Sequence, residues 1–197
     1  MRGFWLVVWL LIPVVALAYH MGPGQRRLEM DRVDDLVRSA AENAEAEKWL
    51  EATSLYDEAL QILPEDELEQ GQRIRLELAK AKMFVKKLPE AHEELKELVD
   101  ELAASAEPNK ELLSESRSAL ANSQYYITWL MRLEGQPREV WEPEVEGARQ
   151  TYRLLAESSE SSGDAEKCKV YQKDLEATIR LARMDLSELQ GLPLPSQ

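Results

Sequence analysis

Apolar residues recur at spacings of three and four along most of the chain, which predicts a run of amphipathic helices. The first is expected over 26–46, with Leu28, Val33, Leu36, Val37 and Ala40 on one side. A second is expected over about 48–63, closed by Pro64. An acidic connection, Glu65 to Gly71, leads to a third over about 70–87, striped by Ile74, Leu78, Ala81 and Val85. The fourth starts near Pro89, which suits a first helical turn, and carries Ala91, Leu95, Leu98, Val99 and Leu102. Pro108 and Asn109 open a fifth, which stops at Gly135-Gln-Pro137. Residues 137–147, with Pro137 and Pro143, read as irregular. A sixth helix is expected over about 144–158. Asp164 then caps a last one over 164–189, striped by Cys168, Tyr171, Leu175, Ile179, Ala182, Leu186 and Leu189.

Two of these helix pairs repeat. Ala40 and Ala52 are followed 39 residues later by Ala79 and Ala91, in the same places on their helices. Ala52, Tyr56, Ala59 and Pro64 put small, bulky, small and helix-ending residues in order on the second helix. In this the chain resembles the tetratricopeptide repeat (TPR) family. There, small residues where helices A and B cross let the backbones approach, and a proline closes the unit. The second unit keeps Leu78, Ala79 and Ala91, with Leu95 and Leu98 next and Ala103 in place of the proline. Ala121 with Ala148, Tyr152 and Leu155 marks a degenerate third unit, split by an insertion. The resemblance implies an all-α, antiparallel helix-pair solenoid of about seven helices over 26–190, preceded by one N-terminal apolar helix. A HEAT-like array is compatible with the same pattern.

Residues 4–19 hold no charge and read as a signal anchor or a signal peptide. Uncleaved, a helix of this length would span about 24 Å, slightly short of a bilayer core. Ala16-Leu17-Ala18 is a cleavage pattern for the other outcome. The anchor reading puts an exported body on a membrane, and the alternative is a periplasmic or secreted body released after Ala18. Residues 1–25 thus form a leader with a Gly/Pro joint, and 191–197 a proline-rich tail.

The chain has 197 residues, 24 basic against 37 acidic, for a net charge of −13. Such a body repels nucleic acid and anionic lipid surfaces. Cys168 is the sole cysteine, so no intrachain disulfide or cysteine-built metal knot is possible. No phosphate-cradling glycine loop, nucleophile elbow or zinc-helix motif occurs, and His92 sits among glutamates without further nitrogen or sulfur ligands. No catalytic residue, metal or cofactor is expected.

The family resemblance places the concave face along the A helices. Arg73, Leu76, Lys80 and Met83 would lie there on helix three, and Asn122 and Tyr125 on helix five. Trp129 joins Tyr125 on a second apolar side of helix five, either buried between neighbours or offered to a partner. Helix three is locally basic (Arg73, Arg75, Lys80, Lys82), which would suit an acidic partner segment unless nearby glutamates neutralise it. The expected function is that of a non-catalytic adaptor holding a peptide or helix of a partner protein. A self-associating structural protein, with the last helix in a homo-oligomer, is the alternative.

Overall fold

The computed structural model describes residues 25–190, and among them it is all-α. Eight helices follow in order: α1 (Gln25–Glu45), α2 (Trp49–Ile62), α3 (Leu68–Lys82), α4 (Leu88–Ala104), α5 (Lys110–Leu133), α6 (Arg138–Ser162), α7 (Ala165–Arg183) and α8 (Leu186–Gln190). The apolar segment 4–19, its Gly/Pro joint and the tail 191–197 lie outside the described residues. Among those described, no helix is long and apolar enough to cross a membrane. The chain divides into two units within α3, one up to Ile74 and one from Arg75 onward.

In the first unit α1 packs on α2. Val33 and Ala40 of α1 and Ala52, Thr53, Tyr56 and Ala59 of α2 are buried. The repeat alanines Ala40, Ala52 and Ala59 have no exposure at all. Around them run exposed ion pairs such as Arg32 with Glu58 at 2.7 Å, which add little stability.

In the second unit α4 packs on α5, α5 on α6, and α6 on α7. Ala79, Ala91, Leu95 and Leu98 belong to one core cluster with Leu76, Met83, Leu102, Leu112 and Ile127. Ala121, Ala148, Tyr152 and Leu155 form another, against which Tyr171 and Leu175 of α7 pack. The residues singled out by the sequence repeat are thus buried together in both later pairs. A side chain larger than alanine at such a crossing would hold the two backbones apart.

The backbone repeats as well. Glu47 (φ 58°) and Lys86 (φ 62°) are left-handed, and they stand 39 residues apart, like the alanines. Each is closed by the same bond: Lys48 N–H to Asn43 O at 2.8 Å, and Lys87 N–H to Lys82 O at 3.3 Å. This is the helix-ending motif that normally uses glycine. Gly135 (φ 74°) plays the part after α5, with Gln136 N–H to Met131 O at 2.9 Å. Gly163 (φ 78°) plays it after α6. Two side-chain-bearing residues therefore hold a conformation that costs each about 1 kcal/mol or more.

Three boundaries differ from those expected. The third helix ends at Lys82 rather than 87, because the left-handed Lys86 reverses the chain there. Residues 137–147 are helical from Arg138, with Pro143 inside α6. Trp141 and Val145, one turn apart, are buried against Trp129, Leu181 and Leu189, and this packing outweighs the proline. The last helix breaks at Met184 and Asp185. The Arg132 guanidinium donates to the Leu181 and Met184 carbonyls, and lies 4.8 Å over the Trp141 ring. Asp185 and Glu188 then restart the chain as α8 through a reciprocal cap, Glu188 N–H to Asp185 Oδ1 at 2.8 Å and Asp185 N–H to Glu188 Oε2 at 3.1 Å.

Two predictions follow from these crossings and turns. Ala91→Leu should lower stability by about 1–3 kcal/mol, while Ala103→Leu on the exposed face of the same helix should change it little. Glu47→Gly and Lys86→Gly should each stabilise the fold by about 0.5–1 kcal/mol, since glycine adopts left-handed φ without strain. Urea denaturation measures all four, and a loss of stability in both glycine variants would contradict the turn assignment.

Candidate functional site

In the second unit a hollow of about 320 Å³ lies among three helices. The end of α3 and the turn after it supply Lys80, Met83 and Phe84, α5 supplies Glu115, Ser118, Ala119 and Asn122, and α7 supplies Tyr171. Residues 115, 118 and 122 follow each other at three and four along α5, so one stripe of that helix lines the floor. A second hollow, about 920 Å³, lies beyond it between Tyr125 of α5, residues 176–183 of α7, Met184, and Ser187 and Glu188 of α8.

The residues expected to form a binding face part company here. Lys80, Met83 and Asn122 line the first hollow together, and Tyr125 lines the second. Leu76, 1% exposed, packs inside the core with Ala79 and Leu95 instead. Trp129, 4% exposed, is held in the cluster with Trp141 and Leu181. Both are apolar side chains on the inward stripe of their helices, so burial is their stable state. Arg73 lies in the first unit, exposed and 3.3 Å from Glu69.

The basic run on α3 is neutralised within the fold. Arg75 meets Glu101 at 2.6 Å, and Lys80 meets Glu77 at 2.7 Å. Lys82 is buried and held by Glu90 at 2.7 Å and Glu94 at 2.6 Å. Burial works against the Lys82 charge, but the two carboxylates more than offset it and hold its ammonium above the ordinary lysine range.

Around Tyr171 the chemistry is aromatic and acidic. The Tyr125 and Tyr126 rings meet edge to face, 5.5 Å between centroids. Tyr152, almost fully buried, packs with Tyr171 and Leu175. Asp174 is half-buried on α7 between Tyr171 and Ala177, and its charge reaches Tyr125, Tyr126 and Tyr152. Burial pushes the Asp174 carboxyl above the usual carboxylate range, with exposed Lys173 opposing only in part. The carboxylate has no hydrogen bond or ion pair to any described residue. Glu146 is the opposite case: Arg149 and then Gln150 hold it down at about 2.

Sequence reasoning missed this tyrosine–aspartate group. Tyr171 was legible as part of the α7 stripe, and Asp174 one turn on was not, because only the packing of α7 on α5 and α6 withdraws it from water.

His92 is buried in a polar seam of the same unit. Its Nδ1 lies 3.0 Å from the Ser123 hydroxyl, which itself lies 2.7 Å from the Leu120 carbonyl. Its Nε2 lies 3.5 Å from Glu144, whose carboxylate accepts from Gln124 Nε2 at 3.2 Å. Gly147 leaves room for that amide, since a Cβ there would come within 2.7 Å of Gln124 Nε2. Both histidine nitrogens are thus occupied by neighbours. No group of three or more metal-binding side chains occurs among the described residues.

Compared with protein-family models and with curated proteins, the chain matches none.

The Asp174 environment makes a signed prediction. A carboxyl held above its unfolded value binds its proton more tightly in the native state, so its charged form weakens the fold at neutral pH. That weakening fades as pH falls through the raised value. Asp174→Asn should therefore melt above the wild type at pH 7, and the gap should close as the pH is lowered into the acid range. A gap that stays constant with pH would rule out the buried charge as its cause.

Proposed function

We propose that this chain is a non-catalytic, membrane-tethered adaptor of TPR-like architecture. Its helix pairs stack as a short solenoid, and the hollow lined by α3, α5 and α7 receives a peptide or helix from a partner protein. Residues 4–19 hold the body, exported, on a membrane, where it scaffolds an envelope complex. The single observation that carries this reading is the convergence of Lys80, Met83, Asn122 and Tyr171 on one hollow from three helices far apart in sequence. Small-residue crossings and left-handed turns that recur after 39 residues support the repeat architecture. The hollow falls in the size range of binding sites, and its lining combines polar groups with the aromatic rings of Phe84 and Tyr171.

Self-association is favoured by a different observation. Leu28, Leu50 and Leu68 of the first unit are 62%, 69% and 70% exposed, large apolar side chains that a second copy would cover.

A photo-crosslinking residue at position 122 in the full chain, in its native membrane, separates the two. Adducts with a second protein, cut about tenfold when Lys80→Glu and Tyr171→Ala are introduced together, are expected for the adaptor. Adducts only with further copies of the chain would overturn it in favour of self-association.

A further inference from the structure

Resting on that reading of the hollow, we infer that the partner segment is basic, and that a lysine or arginine of it anchors on Asp174, one turn along α7 from Tyr171. The local sequence of α3 points the other way, to an acidic partner. The tertiary structure reverses the sign.

Every cation on α3 is already matched by a carboxylate of the same chain: Arg73 by Glu69, Arg75 by Glu101, Lys80 by Glu77, Lys82 by Glu90 and Glu94. Lys80, the one that lines the hollow, has its charge cancelled at 2.7 Å. The carboxylates beside the hollow are not matched. Glu115 lines it and Asp174 follows Tyr171 by one turn, and neither side chain has a hydrogen bond or ion pair to a described residue. Farther along, on α7 and α8, the signs balance, Glu176 and Glu188 against Arg180 and Arg183. With Lys80 cancelled by Glu77, the charge left on the lining of the hollow is that of Glu115, and it is negative.

Asp174 is more than a surface charge. It is half-buried, one turn from Tyr171, which lines the hollow and packs against the cluster that holds Tyr152. A carboxylate partly stripped of water gains more from an incoming cation than an exposed one does, because the surroundings screen the attraction less. The Tyr171 ring, which lines the hollow, would cover the methylene stem of the same cation. A free side chain of an extended or helical segment meets these terms with an ammonium or guanidinium group.

Panning a random-peptide phage library on the full-length chain in neutral detergent micelles tests the inference. The recovered peptides are then synthesised and titrated against wild type, Asp174→Asn and Asn122→Arg, the last placing a bulky side chain in the hollow. The expected result is enrichment of lysine or arginine, affinity that falls as salt rises, a loss of about tenfold or more in Asp174→Asn, and no binding to Asn122→Arg. Removing one of 37 acidic charges cannot cost tenfold through net charge alone, so that loss would locate the anchor. Melting curves of both variants verify that they are folded.

Peptides that Asn122→Arg excludes, but that lack basic residues or bind Asp174→Asn as well as wild type, would overturn the basic anchor and leave the hollow as a binding site. Peptides indifferent to Asn122→Arg, or no binding peptides at all, would overturn the hollow itself and the anchor with it.

Discussion

Close approach of paired helices over alanine is the constraint on which the rest of this structure depends. Ala40, Ala52, Ala91, Ala121 and Ala148 have no exposed surface, and Ala79 has almost none. Alanine brings no side-chain entropy cost and no bulk, so backbones can approach and the neighbouring leucines and tyrosines can interlock around the crossing. The left-handed turns at Glu47 and Lys86 follow from the same demand. A helix that must return at once against its partner has to reverse within a few residues, and the packing beyond the turn sustains a strained φ that the residue alone would not adopt.

The third pair shows what happens when this plan is stretched. Ala121 and Ala148 stand 27 residues apart, where the earlier alanines stand 12 apart. The added length extends α5 and α6 past the crossing, and the extension carries its own small core of Trp129, Trp141 and Val145. Leu181 and Leu189 complete that core, so the lengthened pair also seats the end of α7 and the short α8. Arg132 supplies the polar half of this arrangement. Its guanidinium caps carbonyls at the end of α7 that have no partner within the helix, while its flat face lies on Trp141. Burial lowers its affinity for the proton without threatening the charge.

Charge in this protein is decided by pairing rather than by composition. The basic run on α3 is spent inside the fold, partly on the buried Lys82 that ties α3 to α4. The acids outnumber the bases, and the carboxylates of Glu115 and Asp174 are among those left without partners in the described residues. Where such a carboxylate is also half-buried, as at Asp174, its free energy becomes sensitive to protonation and to an arriving cation alike. One physical cause, partial desolvation, thus links a pH-dependent stability to a binding preference.

Helical class, most helix centres and the burial of the repeat alanines were legible in the sequence, because each depends on residues within one or two turns. Ala52, Tyr56 and Ala59 announce their common face whatever lies opposite. The Asp185–Glu188 cap was legible by the same local rule, and the longer apolar stripe over 164–189 masked it. Other features were decided only by tertiary structure. Pro143 sits inside a helix because Trp141 and Val145 find a core contributed by α5, α7 and α8. Leu76 and Trp129 are interior while Asn122 and Tyr171 face a hollow, and periodicity alone cannot say which of two apolar sides of a helix meets a neighbour. The sign of the hollow likewise depends on which glutamates fold back onto α3, since Coulomb attraction acts across space and not along the chain.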